Sequence, residues 1–279
     1  MKAFIYLITL LFLSSILAKE TSSNSELEIF FNKWREFESP PLSNNAPDYT
    51  RSQFKKRQRS YKKLKKELMA FDTSGWKISW RADWQLIEAE MNGYDFNRRV
   101  LKPWERDPAF YKSIWTYKSD VPAHEGPTPH FTVELWQYNF PLNKKDRIKL
   151  LSSLELIPKF NKQAKINLTG NARDLWIAGI RDIEKQSQIL EDLNLKPGVA
   201  KDKKLVMQIK NAKDSTDDFV KWLKKEASKK NGPSGIGKEN YTWYQQNVHL
   251  VPMTWEDEVF LLKRELARAW SSLKLEEHR

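Results

Sequence analysis

The chain has 279 residues, 40% of them hydrophobic, with 12 Trp, 14 Phe and 9 Tyr, enough for a sizeable aromatic core and unlike a disordered composition. It contains no cysteine, which excludes disulfides, thiol nucleophiles and cysteine-based zinc sites. A net charge of +12 permits contact with acidic surfaces and aids solubility without specifying a fold.

Residues 1–18, MKAFIYLITLLFLSSILA, combine Lys2, an apolar run from Ala3 to Leu13 and a small residue, Ala18, at a cleavage point. This predicts a cleaved signal peptide and an exported, periplasmic or extracellular protein. The apolar run is shorter than the ~20 residues a spanning helix needs. Residues 19–48 are expected to form a polar segment with one amphipathic stretch, Leu27 to Phe37, closed by the loop SPPLSNNAPD. Residues 49–279 are expected to form one helical domain.

Within it, residues 49–71 carry nine Lys or Arg and one acid, Glu67, above a thin apolar stripe of Phe54, Tyr61, Leu64 and Leu68. That pattern suits a solvated helix face, and equally a contact with polyanions or anionic lipid. Residues 76–101 predict one helix with Trp76, Trp80 and Trp84 a turn apart, read as core. Asp107-Pro108 supplies an N-cap and a first-turn proline for another helix. HFTVELWQY, 130–138, is the only good strand candidate. Long amphipathic helices follow over 171–193, 204–230 and from Thr254 onward, where Thr254 and Asp257 predict a capping box. The predicted fold class is all-α, with at most a short strand near 130–138. The last helix reaches LEEHR with its apolar stripe still running, so the helical domain is expected to be interrupted at its C-terminus.

Two motifs suggest chemistry. Gly232 to Lys238, GPSGIGK, fits the spacing of a phosphate-binding loop, but it follows a polar helix end and not a strand, and Glu239 replaces the magnesium-binding Ser/Thr. No nucleotide is therefore expected, nor is nucleic acid the expected partner. HEGPTPH, 124–130, offers His124, Glu125 and His130. The histidines are six apart, not four, and Pro127 and Pro129 forbid a regular helix. A loop site would need a third ligand from His249, His278 or a carboxylate.

Long stretches of the chain, RADWQLIEAEMNGYDFNRRVLKPWERDPAFY (81–111), SDVPAHEGPTPHFTVELWQYNFPL (119–142) and SGIGKENYTWYQQNVHLVPMTWEDE with LLKRELARAWSSLKLEEHR (within 234–279), resemble the bacterial family called domain of unknown function 885. The resemblance covers most of the chain after about residue 76. It implies a helical, zinc-peptidase-like hydrolase fold, commonly exported and nearly twice this length. The family's presumed metal motif, a helix-borne His-Glu followed by Pro-Gly-His, lies in a C-terminal half that this sequence does not contain. HEGPTPH matches a different family word, so no zinc-ligand role transfers to His124 or His130. The implied zinc and peptide-like substrate belong to a full-length relative, and this chain is expected to hold no catalytic, cofactor or metal residues of its own. Arg98, Arg99, His124, Glu125, Tyr244 and His249 are the candidates to line a cleft, each with a plain structural use as a local hydrogen-bonding group. The rival reading is a non-enzymatic exported module that binds acidic polymers or envelope surfaces through the basic helix 51–66.

Overall fold

In the computed structural model, which describes residues 24–118 and 131–279, the fold is all-α. The described residues divide into two compact units. Two helices, α2 (Arg51–Leu68) and α3 (Ile78–Phe96), are shared between them.

The first unit comprises α1 (Asn24–Glu38), the later part of α2 and the earlier part of α3. Leu27, Phe30 and Trp34 recur at three- and four-residue steps on α1 and are buried, as are Tyr61, Leu64 and Leu68 on α2. Trp34 meets Tyr61 edge-on, and Phe71 joins Phe30 to Trp76. Trp76 lies before α3 begins, not inside one helix running from 76 to 101, and packs edge-on against Trp80 with ring centres 6.1 Å apart. Trp84 is half-buried and donates its Nε1–H to the Leu68 carbonyl, 3.0 Å. These Trp residues serve packing, with polar edges satisfied locally. A shallow groove of about 430 Å³ between α1 and the end of α2 is crossed by the Lys33–Glu67 ion pair, which satisfies both of those charges.

The second unit holds residues 39–59 and the described residues from 89 onward. Its start, expected as loop, is a minimal hairpin of β1 (Leu42–Ser43) and β2 (Ala46–Pro47). Asn44 and Asn45 turn it with φ of 52° and 66°. Asparagine tolerates this left-handed backbone, which two-residue hairpin turns require.

The core of this unit is built by α5 (Lys144–Asn167), α6 (Arg173–Leu193) and α7 (Lys203–Ala227). Leu150, Leu154, Ile157, Phe160 and Ala164 line one face of α5 with no solvent exposure. Trp176, Ile183, Leu190 and Leu193 answer from α6; Leu205, Ile209, Ala212, Phe219 and Leu223 answer from α7. Each such side chain contributes roughly 1.5–3 kcal/mol of transfer free energy, so these stripes dominate the stability of the unit. A buried polar network ties the hairpin to this core. Asn167 donates to the Tyr49 carbonyl and to Tyr111 Oη, both at 3.1 Å, while Tyr111 donates to the Trp104 carbonyl.

Two expected elements are much shorter than the sequence suggested. The helix announced by Asp107-Pro108 is one 3₁₀ turn, Pro108–Tyr111, with the Asp107 side chain capping Ala109 N. It stops because Phe110 and Tyr111 are both drawn into the core, which a longer exposed-face helix would not allow. The strand expected over 130–138 is reduced to β4 (Val133–Glu134), paired in parallel with β3 (Ile114–Trp115), and Leu135–Gln137 turns away as 3₁₀.

Candidate functional site

Four of the six residues picked out as cleft-lining come together where α3 ends. The α-helical ladder closes at Phe96 and gives way to a π-turn, Asn97–Leu101, in which Lys102 N donates to the Asn97 carbonyl five residues back, 2.7 Å. Pro103 follows, opening the single turn α4 (Pro103–Arg106). A residue before proline disfavours ordinary helix, and Lys102 takes a left-handed conformation, φ 44° and ψ 54°. Such backbone costs of order 1–3 kcal/mol and, like π-turns, concentrates at functional sites.

The π-turn fans Arg98 and Arg99 so that both reach one carboxylate, Asp95. Arg98 Nη2 donates to Asp95 Oδ1 at 2.9 Å and Arg99 Nε to Asp95 Oδ2. Two cations on one anion leave a surplus positive charge. Arg99 remains the more exposed and lies 5.3 Å from the centre of the Trp243 ring. Arg98 Nε is buried without a hydrogen-bond partner among the described residues.

Helix α8 (Lys238–Asn247) brings the other half of the cluster. Trp243 stacks on Phe96 with ring centres 5.5 Å apart and planes 6° from parallel, and Tyr244 leans on the same ring at 4.8 Å. His249 meets Tyr244 edge-on, 4.8 Å, with Nδ1 3.2 Å from Gln245 Oε1, and its ring is exposed. Asn92 donates to the Asn247 carbonyl, and Gly93 lets Val248 approach, since a Cβ there would sit 3.3 Å from Val248 Cγ1. Leu250, at φ 57°, turns the chain away.

The arrangement sets the half-buried rings of Trp243 and Tyr244 beside a guanidinium and an imidazole. Its chemistry is recognition of an anionic group beside an apolar one; a positioned guanidinium binds carboxylate bidentately. The sequence offers Asp95 only as a possible paired carboxylate with Glu88 and Glu90, and does not single out Phe96 or Trp243. An Asp three and four residues before two arginines was the available signal. His124 and Glu125, with the rest of HEGPTPH, lie outside the described residues. Among the described residues no three His, Asp or Glu are grouped closely enough to hold a metal ion.

The GPSGIGK loop is a structural clamp. Helix α6 begins at Arg173 with Ala172 in the capping position, which offers no side-chain acceptor. Ser234 Oγ supplies it from 60 residues away, accepting from Asp174 N at 2.8 Å and Leu175 N at 3.2 Å. Asn171 Oδ1 accepts from the backbone N–H of Asn231 and Gly232, and Arg106 donates to the Pro233 and Ser234 carbonyls. A Cβ at Gly232 would lie 2.6 Å from the Asn171 carbonyl oxygen, so only glycine fits. Lys238 sits over the Trp255 ring, 3.8 Å from its centre. Ser234→Ala is expected to lower stability by about 1 kcal/mol, the usual cost of a lost N-cap, read as a lower urea midpoint; an unchanged midpoint would refute the remote cap.

Comparison of the chain with protein-family models, with curated proteins and with solved structures found no match.

Proposed function

We propose that this chain forms one wall of the substrate cleft of an exported, zinc-peptidase-like helical hydrolase, and that it binds a peptide-like substrate without hydrolysing it by itself. The observation that carries this reading is the packing of the Arg98–Arg99 turn, through Phe96 and Trp243, against the helix that leads from Tyr244 to His249, two words about 150 residues apart that resemble the same family. The surplus charge at Asp95 suits a peptide carboxylate, and Trp243 offers a ring beside it for an apolar side chain. Metal-activated water, which hydrolysis of this kind uses, requires a ligand set that the described residues do not supply. Short peptides should therefore quench tryptophan fluorescence on binding, and Arg99→Ala should weaken that binding about tenfold, the loss of one charge-assisted contact. Peptide hydrolysis by this chain in added zinc would overturn the claim of catalytic silence, and failure of any peptide to bind would overturn the cleft reading.

A second reading is favoured by one feature of α2. Lys55, Lys56, Arg59, Lys62, Lys63 and Lys66 are exposed, and none has an ion-pair partner among the described residues. Helical geometry places them within an arc of about 120°. Such a face binds acidic polymers or anionic envelope surfaces, with affinity that falls steeply with salt. Salt-independent binding, or none, would dismiss it.

A further inference from the structure

A hydrogen-bonded row of side chains runs from the start of the last helix, α9 (Trp255–Glu277), along α8 and out to His249. The corner between the two helices is braced first. Thr254 and Asp257 make the expected capping box, and Trp255 N, the first helical amide, donates to Thr242 Oγ1 at 3.0 Å. Glu258, in the first turn of α9, accepts from Tyr241 Oη. Tyr241, Gln245 and His249 follow at four-residue steps, the spacing of neighbours on one helical face. Gln245 Nε2 donates to Tyr241 Oη at 3.0 Å, and Gln245 Oε1 lies 3.2 Å from His249 Nδ1. His249 is just past the end of α8, but its backbone is held: Val248 N and His249 N both donate to the Tyr244 carbonyl, and Val251 N donates to that of Gln245.

The carboxylate at one end dictates the direction of every bond. Glu258 only accepts, so Tyr241 must direct its one proton there. This bond is also the largest cause raising the phenol above its ordinary pKa, so the proton stays on Tyr241. The phenol oxygen can then only accept from Gln245, which turns the amide nitrogen toward Tyr241 and the amide oxygen toward His249. An amide oxygen has no proton to give, so His249 Nδ1 is the donor. In the neutral ring the proton therefore sits on Nδ1, and Nε2 carries a bare lone pair. Free histidine in water favours the opposite tautomer, so the row reverses an intrinsic preference. The ring is exposed, packs edge-on against Tyr244, and its Nε2 has no hydrogen-bond partner among the described residues.

We propose that His249 accepts a hydrogen bond from a backbone N–H of a peptide-like ligand, and that Glu258, Tyr241 and Gln245 are positioning residues that keep its Nε2 bare. The ligand class rests on the cleft reading. Arginine only donates, so Arg98 and Arg99 can meet only the acceptors of a peptide, and His249 supplies an acceptor for its N–H. The test has two readouts on the full chain. Nitrogen NMR at about pH 8.5, where a free imidazole is neutral, should show His249 protonated at Nδ1, its signal identified by loss in His249→Phe. Tyr241→Phe keeps the ring but cuts the row, and should move the proton toward Nε2. A resting Nε2–H form, or no change in Tyr241→Phe, would overturn the positioning role. Calorimetry then compares acetyl-Ala-Ala-Phe free acid with its three analogues, each N-methylated at one amide. One methylation should weaken binding about fivefold, the loss of one neutral hydrogen bond, and His249→Phe should remove that difference. Affinities indifferent to methylation, or a difference that survives His249→Phe, would overturn the acceptor role and leave the cleft reading standing. Absence of binding by the unmethylated peptide would overturn both.

Discussion

Replacing Gly179 by alanine is expected to destabilise the protein by about 2 kcal/mol, although the same change inside an ordinary exposed helix stabilises by about 1 kcal/mol. Gly179 is buried in the middle of α6, where the 3₁₀ turn Pro108–Tyr111 packs against the helix. A Cβ at this position would lie 2.7 Å from Ala109 N and 2.8 Å from Pro108 Cβ. Neither neighbour can yield by rotating a side chain: one atom is backbone and the other belongs to a ring. The turn must move away from the helix, and overpacking of this kind costs roughly 3 kcal/mol, which outweighs the gain in helix propensity. Tyr111, Phe110 and their contacts with Phe160 and Tyr49 would shift with it. Urea denaturation of Gly179→Ala should show a lower midpoint at an unchanged slope. A raised midpoint would mean that the turn is not held against α6 as described.

The same turn creates a pH dependence. Asp107 caps it by accepting from Ala109 N at 2.9 Å, but burial raises its carboxyl to about 6, with the nearby Asp182 charge adding to the effect and Arg106 opposing it. The unfolded chain titrates near 3.9. Between about pH 4 and pH 6 the folded protein therefore holds more protons at this site than the unfolded chain does. Stability falls as pH rises through that window, by about 2–3 kcal/mol in all, and this contribution is level above it. Asp107→Asn keeps an oxygen to accept from Ala109 N and removes the charge. It should stabilise the protein by about 2 kcal/mol at pH 7, have little effect at pH 4, and flatten the slope between. A substitution that lowers stability at pH 7 would show that the ionised carboxylate is a net benefit to the turn.

The helices were legible because their stripes are local. Trp176 to Leu193 and Leu205 to Leu223 announce their buried faces by spacing alone, and the Thr254 capping box needs only four residues to declare itself. What failed depended on distant partners. Nothing near Ala172 tells that Ser234 caps its helix, and nothing in Asp107-Pro108 tells that two aromatic residues later the chain must plunge into the core. HFTVELWQY looked like a strand, yet among the described residues only Val133 and Glu134 pair, with Ile114 and Trp115. The cluster at Asp95 was half legible. Arg98, Arg99, Tyr244 and His249 were picked out from the words that carry them, but their shared anchor depends on a π-turn that ordinary helical spacing does not foresee. Phe96 and Trp243 were not singled out, and their stacking with nearly parallel planes packs α8 against the end of α3.

The most direct test of the cleft-wall reading is calorimetric titration with one short peptide prepared twice, as the free acid and as the C-terminal amide. Recognition by the Arg98–Arg99 pair predicts that the acid binds about tenfold more tightly, that Arg99→Ala abolishes most of the difference, and that the amide is nearly indifferent to the substitution. Equal affinities for acid and amide, or a preference that survives Arg99→Ala, would contradict it.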